Sequence, residues 1–125
     1  MKEDLLKYYI EKADSAILDA ELLLKNDRLS ASVNRIYYAV FYIITALAMK
    51  NNYTTSKHRQ LIGWFNKNFI ATNRIDKKFG TVLHLAYENR TEADYGDFIV
   101  FEKQEVASMF EDTKDFIKTI KKEFL

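Results

Sequence analysis

The stretch Ile36-Tyr37-Tyr38-Ala39-Val40-Phe41-Tyr42-Ile43-Ile44-Thr45-Ala46-Leu47-Ala48-Met49 decides the fold. Every residue in it except Thr45 is apolar or aromatic, so a helix built on it is apolar all round rather than along one stripe. It falls short of the roughly 18 apolar residues that a membrane span calls for. Tyr37, Tyr38, Phe41 and Tyr42 instead suit a central helix covered on most sides, here expected over about Ala31 to Lys50. Its apolar surface exceeds what four short neighbours obviously cover, and this points to a second copy of the chain as part of the cover.

Working outward, Leu5, Tyr9, Ala13, Ala16, Ile17, Ala20, Leu23 and Leu24 recur at the three-and-four spacing of one helical face. A first helix from about Glu3 to Lys25 follows. Asn26-Asp27-Arg28 breaks it, and Ser30 is placed to cap the central helix with its hydroxyl. Downstream, a third helix from near Ser56 carries His58, Leu61, Ile62, Phe65 and Phe69 on one face. A fourth from near Asp76 carries Phe79, Val82, Leu83, Ala86 and Arg90, and a last from about Glu102 carries Val106, Phe110, Thr113, Ile117, Ile120 and Phe124. Between those two, Thr91 to Phe101 reads as a long loop, the kind of connection that often bears function. The fold class expected is all-α: an up-and-down bundle of four to five helices in one domain over residues 1–125.

Composition supports this and removes several functions. There is no proline and there are only three glycines, so little interrupts long helices. The absence of cysteine removes disulfides and thiolate metal sites, and the acidic Glu3 and Asp4 stand where a secretory signal would be basic. A cytoplasmic location and no membrane association are expected. A formal net charge of +1 predicts no strong overall attraction to nucleic acid. No phosphate-binding glycine loop, paired-histidine zinc helix or calcium loop is present, and no metal or other cofactor is expected.

Arg90 stands out because it continues the apolar stripe of the fourth helix where another core residue belongs. A buried guanidinium needs a partner, and Glu92, Asp94 and Asp97 follow within reach. Two roles fit: a structural ion pair with Asp94 that pins the loop, or an inward-facing group that grips a phosphate in bidentate fashion. Arg35, before the aromatic run, is read either as an ion pair to the first or last helix or as a second phosphate contact. His58 on an apolar helix face reads as a packed or capping residue, or as a base brought up to Arg90. His84 lies six residues before Arg90, about 120° away around the helix, and reads as a surface residue.

Asn34-Arg35-Ile36-Tyr37-Tyr38-Ala39-Val40-Phe41 resembles the double-tyrosine helix of a branch of the HEPN proteins, and Ser56-Lys57-His58 with Leu61 and Phe65 resembles its next helix. Arg90-Thr91-Glu92-Ala93-Asp94-Tyr95 resembles that branch's Arg-x-x-Ala-Asp-Tyr motif. The resemblance implies a helical bundle that forms a homodimer. In many members an Arg-x-x-x-x-His signature makes a metal-independent ribonuclease site, and others are toxins or partners of a minimal nucleotidyltransferase. Here the arginine falls on Arg90, but the histidine position falls on Tyr95. Histidine's ordinary pKa of about 6.5 suits acid and base roles at neutral pH, whereas bringing a tyrosine from about 10 to neutrality takes roughly 4 kcal/mol. Tyr95 still donates a hydrogen bond or stacks on a base. The sequence thus implies a nucleotide- or RNA-binding module in a toxin-antitoxin-like pair, with Arg90, Arg35 and Asp94 at the phosphate. The alternative is an endoribonuclease toxin in which Arg90, Tyr95 and His58 carry the chemistry.

Overall fold

The computed structural model describes residues 1–95 and 100–125, with the side chains of residues 90–95 outside that description. The chain forms α1 (Lys2–Lys25), α2 (Leu29–Lys50), α3 (His58–Phe65), α4 (Lys78–Tyr95) and α5 (Lys103–Phe124), and no strand occurs among the described residues.

The polar breaks work as stereochemical stops. Asp27 and Asn52 take positive φ of 58° and 61°. In each case the following amide reaches back to an orphan carbonyl, Arg28 N to Leu23 O at 2.9 Å and Tyr53 N to Ala48 O at 2.9 Å. This is the Schellman closure, made here with Asp and Asn because their short polar side chains tolerate the left-handed region. The expected Ser30 cap is not formed. Closing α1 this tightly lets α2 start at Leu29 with Arg28 as N-cap and no side-chain cap, which leaves Ser30 exposed inside the helix. Ser32 is the serine that matters, because it is fully buried and its Oγ donates to Ala20 O at 2.9 Å.

Polar contacts fix the helix directions. Lys2 Nζ reaches Asn52 Oδ1 at 2.6 Å while Ser32 meets Ala20, so α1 and α2 are antiparallel. Lys103 pairs with Asp27 at 2.8 Å and Lys121 with Asp14 at 3.0 Å, so α5 is antiparallel to α1. Lys78 at the start of α4 pairs with Asp115 late in α5 at 3.8 Å. The result is the up-and-down all-α bundle expected.

Helix α2 touches α1, α3, α4 and α5, and twelve of its residues are buried within the single chain. The whole of α2, longer than its apolar run, is long and apolar enough to pass for a membrane span by length and composition, as buried core helices also do, and 67% of its apolar window is buried here. Small residues Ala13, Ala16 and Ala20 let α1 approach it closely, and Val33 and Ile36 extend the core to Val106 and Phe110 of α5. The neighbours therefore cover more of α2 than its composition suggests. What they leave is a stripe of half-buried residues: Tyr38, Phe41, Tyr42 and Thr45.

Two boundaries differ from expectation. α3 begins at His58 and passes into a π-helical turn over Asn66–Ile70, with Phe69 in the core beside Phe65, ring centroids 5.7 Å apart. The loop expected from Thr91 is helical as far as Tyr95. Polar residues without proline or glycine at 91–95 do nothing to stop a helix.

Candidate functional site

The turn after α2 sets the site. Thr55 Oγ1 accepts the Lys57 amide at 3.2 Å and donates to Gln60 Oε1 at 2.8 Å, which folds the chain into α3 with Lys57 as an extended N-cap residue. His58, first residue of α3, is thereby laid back over α2. Its ring centroid sits 3.8 Å from that of Phe41, and its Nδ1 is hydrogen-bonded to the hydroxyl of Tyr37, a side chain only 1% exposed. That bond fixes the ring's orientation and engages one of its two nitrogens. The Tyr37 ring is also 6.1 Å from Tyr87 of α4. Three helices thus meet at one point.

Above that point lies a pocket of about 540 Å³ lined by Lys57, His58, Arg59, Gln60 and Tyr87. Among these described lining residues two are cations, one is a histidine and none is a carboxylate. Arg35 stands beside the cluster, its guanidinium 4.9 Å over the Tyr38 ring and donating to Asn34 Oδ1 at 3.2 and 2.9 Å. Tyr38 is in turn edge-on to His58 at 6.4 Å. The ion pair expected from Arg35 to the first or last helix is replaced, among the described contacts, by this stacking. Tyr38, three residues on along α2, offers its ring face where a carboxylate was expected.

The His58 ring is packed, as one of its two readings expected, and it also lines the pocket with Tyr87, three residues before Arg90 on the same helix. His84 is exposed and pairs with Glu88 at 3.2 Å, away from this cluster. The side chains of Arg90, Glu92, Asp94 and Tyr95 lie outside the described residues, as does Asp97. Their backbone register on α4 still matters. Asp94 follows Arg90 by one turn, about 40° around the axis, whereas Tyr95 at the last helical residue is about 140° away.

The HEPN domain model matches residues 6–123. The chain belongs to the HEPN domain family. Similar proteins extend this. A "UPF0332 protein" of Thermotoga maritima is 36% identical over 121 residues, covering 97% of this chain and 92% of its own length. Two proteins of Methanocaldococcus jannaschii, named "Putative toxin MJ0142" and "Putative toxin MJ0605", are 32% and 30% identical over 94% and 90% of this chain, and the matches cover 80% and 84% of their own lengths.

In this HEPN domain the sequence pointed to His58 and Arg35 but missed Lys57, Arg59 and Tyr87. The run Lys57-His58-Arg59 was a readable signal, since three successive basic residues at a helix start lie close in space whatever the tertiary fold. Tyr87 carried no such signal. Among the described residues no group of three potential metal ligands converges.

Proposed function

We propose that this HEPN domain is a nucleotide- or RNA-binding and interaction module of a toxin-antitoxin-like pair, working in the cytoplasm as a homodimer with a minimal nucleotidyltransferase as its protein partner. One observation carries the binding part: α2, α3 and α4 converge on a pocket with Lys57, Arg59 and His58 on its wall and the Tyr87 ring beside them. Cations with an aromatic face are what an unpaired nucleotide with its phosphate calls for. Arg35 adds a third cation at the cluster's edge, and Arg90 on α4 is a further phosphate contact in this reading, with Asp94 one turn on in register as its ion-pair partner at the nucleotide. The names of the Methanocaldococcus relatives support the toxin-like setting, and the Arg-x-x-Ala-Asp-Tyr motif supports the nucleotidyltransferase partnership.

The test is fluorescence anisotropy with a labelled single-stranded RNA, in parallel for the parent, Lys57→Glu/Arg59→Glu and Arg35→Ala. The double variant should weaken binding by more than tenfold and flatten its salt dependence. Equal affinity in parent and double variant would refute the assignment.

A second reading, a metal-independent endoribonuclease, is favoured by His58 itself, which Tyr37 holds in the pocket. A histidine so placed accepts a proton from an RNA 2′-hydroxyl as that oxygen attacks the adjacent phosphorus, the P–O5′ bond breaks to leave a 2′,3′-cyclic phosphate, and the departing 5′-oxygen takes a proton from water. With Tyr95 at the usual histidine position, the parent should cleave labelled RNA weakly or not at all in chelator, and Tyr95→His should gain cleavage. Robust parent cleavage that disappears in His58→Gln while RNA binding persists would establish the enzyme instead.

A further inference from the structure

A second concavity lies on the opposite chemistry. Between α4 and α5 runs a groove of about 760 Å³. Its floor is apolar, with Phe79, Val82, Leu85, Phe101 and Met109, and Leu85 is 46% exposed in it. Phe79, 5.4 Å from Phe116 of α5, closes one end. The lining runs along α5 from Glu102 to Asp115, roughly 20 Å or three to four helical turns. That length matches an amphipathic helix presenting anchors at i, i+3 or i+4, and i+7.

The rim decides what kind of helix. Glu102, Glu105, Asp112 and Asp115 face Lys78 as the one cation among the described lining residues, and Lys78 is already paired with Asp115 at 3.8 Å. Glu102, Glu105 and Asp112 have no ion-pair partner among the described residues. The chain as a whole carries +1, so this is a local concentration of negative charge. A phosphate-bearing ligand is repelled there, whereas a helix with lysines or arginines flanking an apolar stripe is complementary. Two helix faces that a second copy would offer are poor matches. The apolar face of α5, which carries Lys114, Lys118, Lys121 and Lys122, is buried in its own core. Leu18 and Leu22, the exposed leucines in the second half of α1, flank Asp19 and Glu21, so that stretch is acidic where the groove calls for cations.

We infer that the α4/α5 groove is a protein-docking surface that takes a cationic amphipathic helix from a different protein. This deepens the interaction-module part of the proposed function and does not depend on the RNA part. The probe is a labelled peptide helix with leucines at i, i+4, i+7 and i+11 flanked by lysines, against a counterpart with glutamates for lysines, titrated into the full chain. The lysine peptide should bind, salt should weaken it, and the glutamate peptide should not bind. Glu105→Lys/Asp112→Lys, two exposed positions whose change spares the core, should weaken the lysine peptide by about tenfold or more, and Leu85→Ser should weaken it at unchanged charge. RNA affinity, measured on the same preparations, should be unaltered by these groove variants; Lys57→Glu/Arg59→Glu should do the reverse, so the failure of one reading is visible apart from the other. Lysine-peptide binding weaker than about 1 mM, equal affinity in the charge-reversed variant, or tighter binding of the glutamate peptide overturns the inference. A fall in the parent's oligomeric mass on charge reversal would give the groove to a second copy and overturn it as well.

Discussion

Thr113 is fully buried on α5, and its hydroxyl is the buried side-chain polar atom with no hydrogen-bond partner among the described residues. A hydroxyl taken out of water with nothing to bond costs about 1 to 3 kcal/mol, whereas a methyl of the same shape in its place costs nothing comparable. Both residues are β-branched, so helix propensity changes little. Thr113→Val should therefore stabilise the protein by about 1 kcal/mol or more. For a chain of this size that is a rise in Tm of about 4 °C, or a shift of the urea midpoint by roughly 0.5 M at an ordinary slope near 2 kcal/mol/M. The assay is urea unfolding followed by far-ultraviolet circular dichroism at one fixed protein concentration, because the proposed homodimer would make the midpoint concentration-dependent. Thr113→Ser serves as the control, since it keeps the unbonded hydroxyl and loses a buried methyl, and it should destabilise by about 1 kcal/mol. A valine variant with a midpoint at or below the parent's would refute the reasoning, because it would mean that the hydroxyl has a partner in solution.

Ser32→Ala should cost about 0.5 to 1.5 kcal/mol in the same assay, since it deletes the buried bond to Ala20 O that ties the start of α2 to α1. Gly63→Ala should gain about 0.5 to 1 kcal/mol, because a methyl there meets no atom within 4 Å and glycine costs a helix backbone entropy. Light scattering should give twice the chain mass, with an interface of more than about 1,000 Å² on the half-buried stripe of α2. Tyr42→Glu, which places a charge on that stripe beside Tyr9 and Tyr38, should shift the mass to that of one chain, and an unchanged mass would move the interface elsewhere.

The apolar run Ile36 to Met49 by itself determined a central helix, because a segment without a polar face folds only where neighbours surround it. The three-and-four periodicities likewise determined the buried face of α5, down to Val106, Phe110, Ile117 and Ile120, and that of α1 at Ala13, Ala16, Ala20 and Leu24, while Leu5 at its start is exposed. Local chemistry can do this because a helix's faces follow from spacing alone. The π-turn at Asn66–Ile70 was invisible because nothing in Asn-Lys-Asn-Phe-Ile marks it. The partner of Arg35 and the cap role given to Ser30 were not legible, because they depend on rotation about a helix axis and on how tightly the preceding helix closes. His58 was legible as a candidate, but that Tyr37 holds it and that Tyr87 shares its pocket required α2, α3 and α4 to be brought together across some 50 residues. The acidic α4/α5 groove belongs wholly to the tertiary structure. Its acids Glu102, Glu105, Asp112 and Asp115 all lie on one stretch of α5 and its N-cap, and only the packing of α4 on α5 sets them as a rim along an apolar floor.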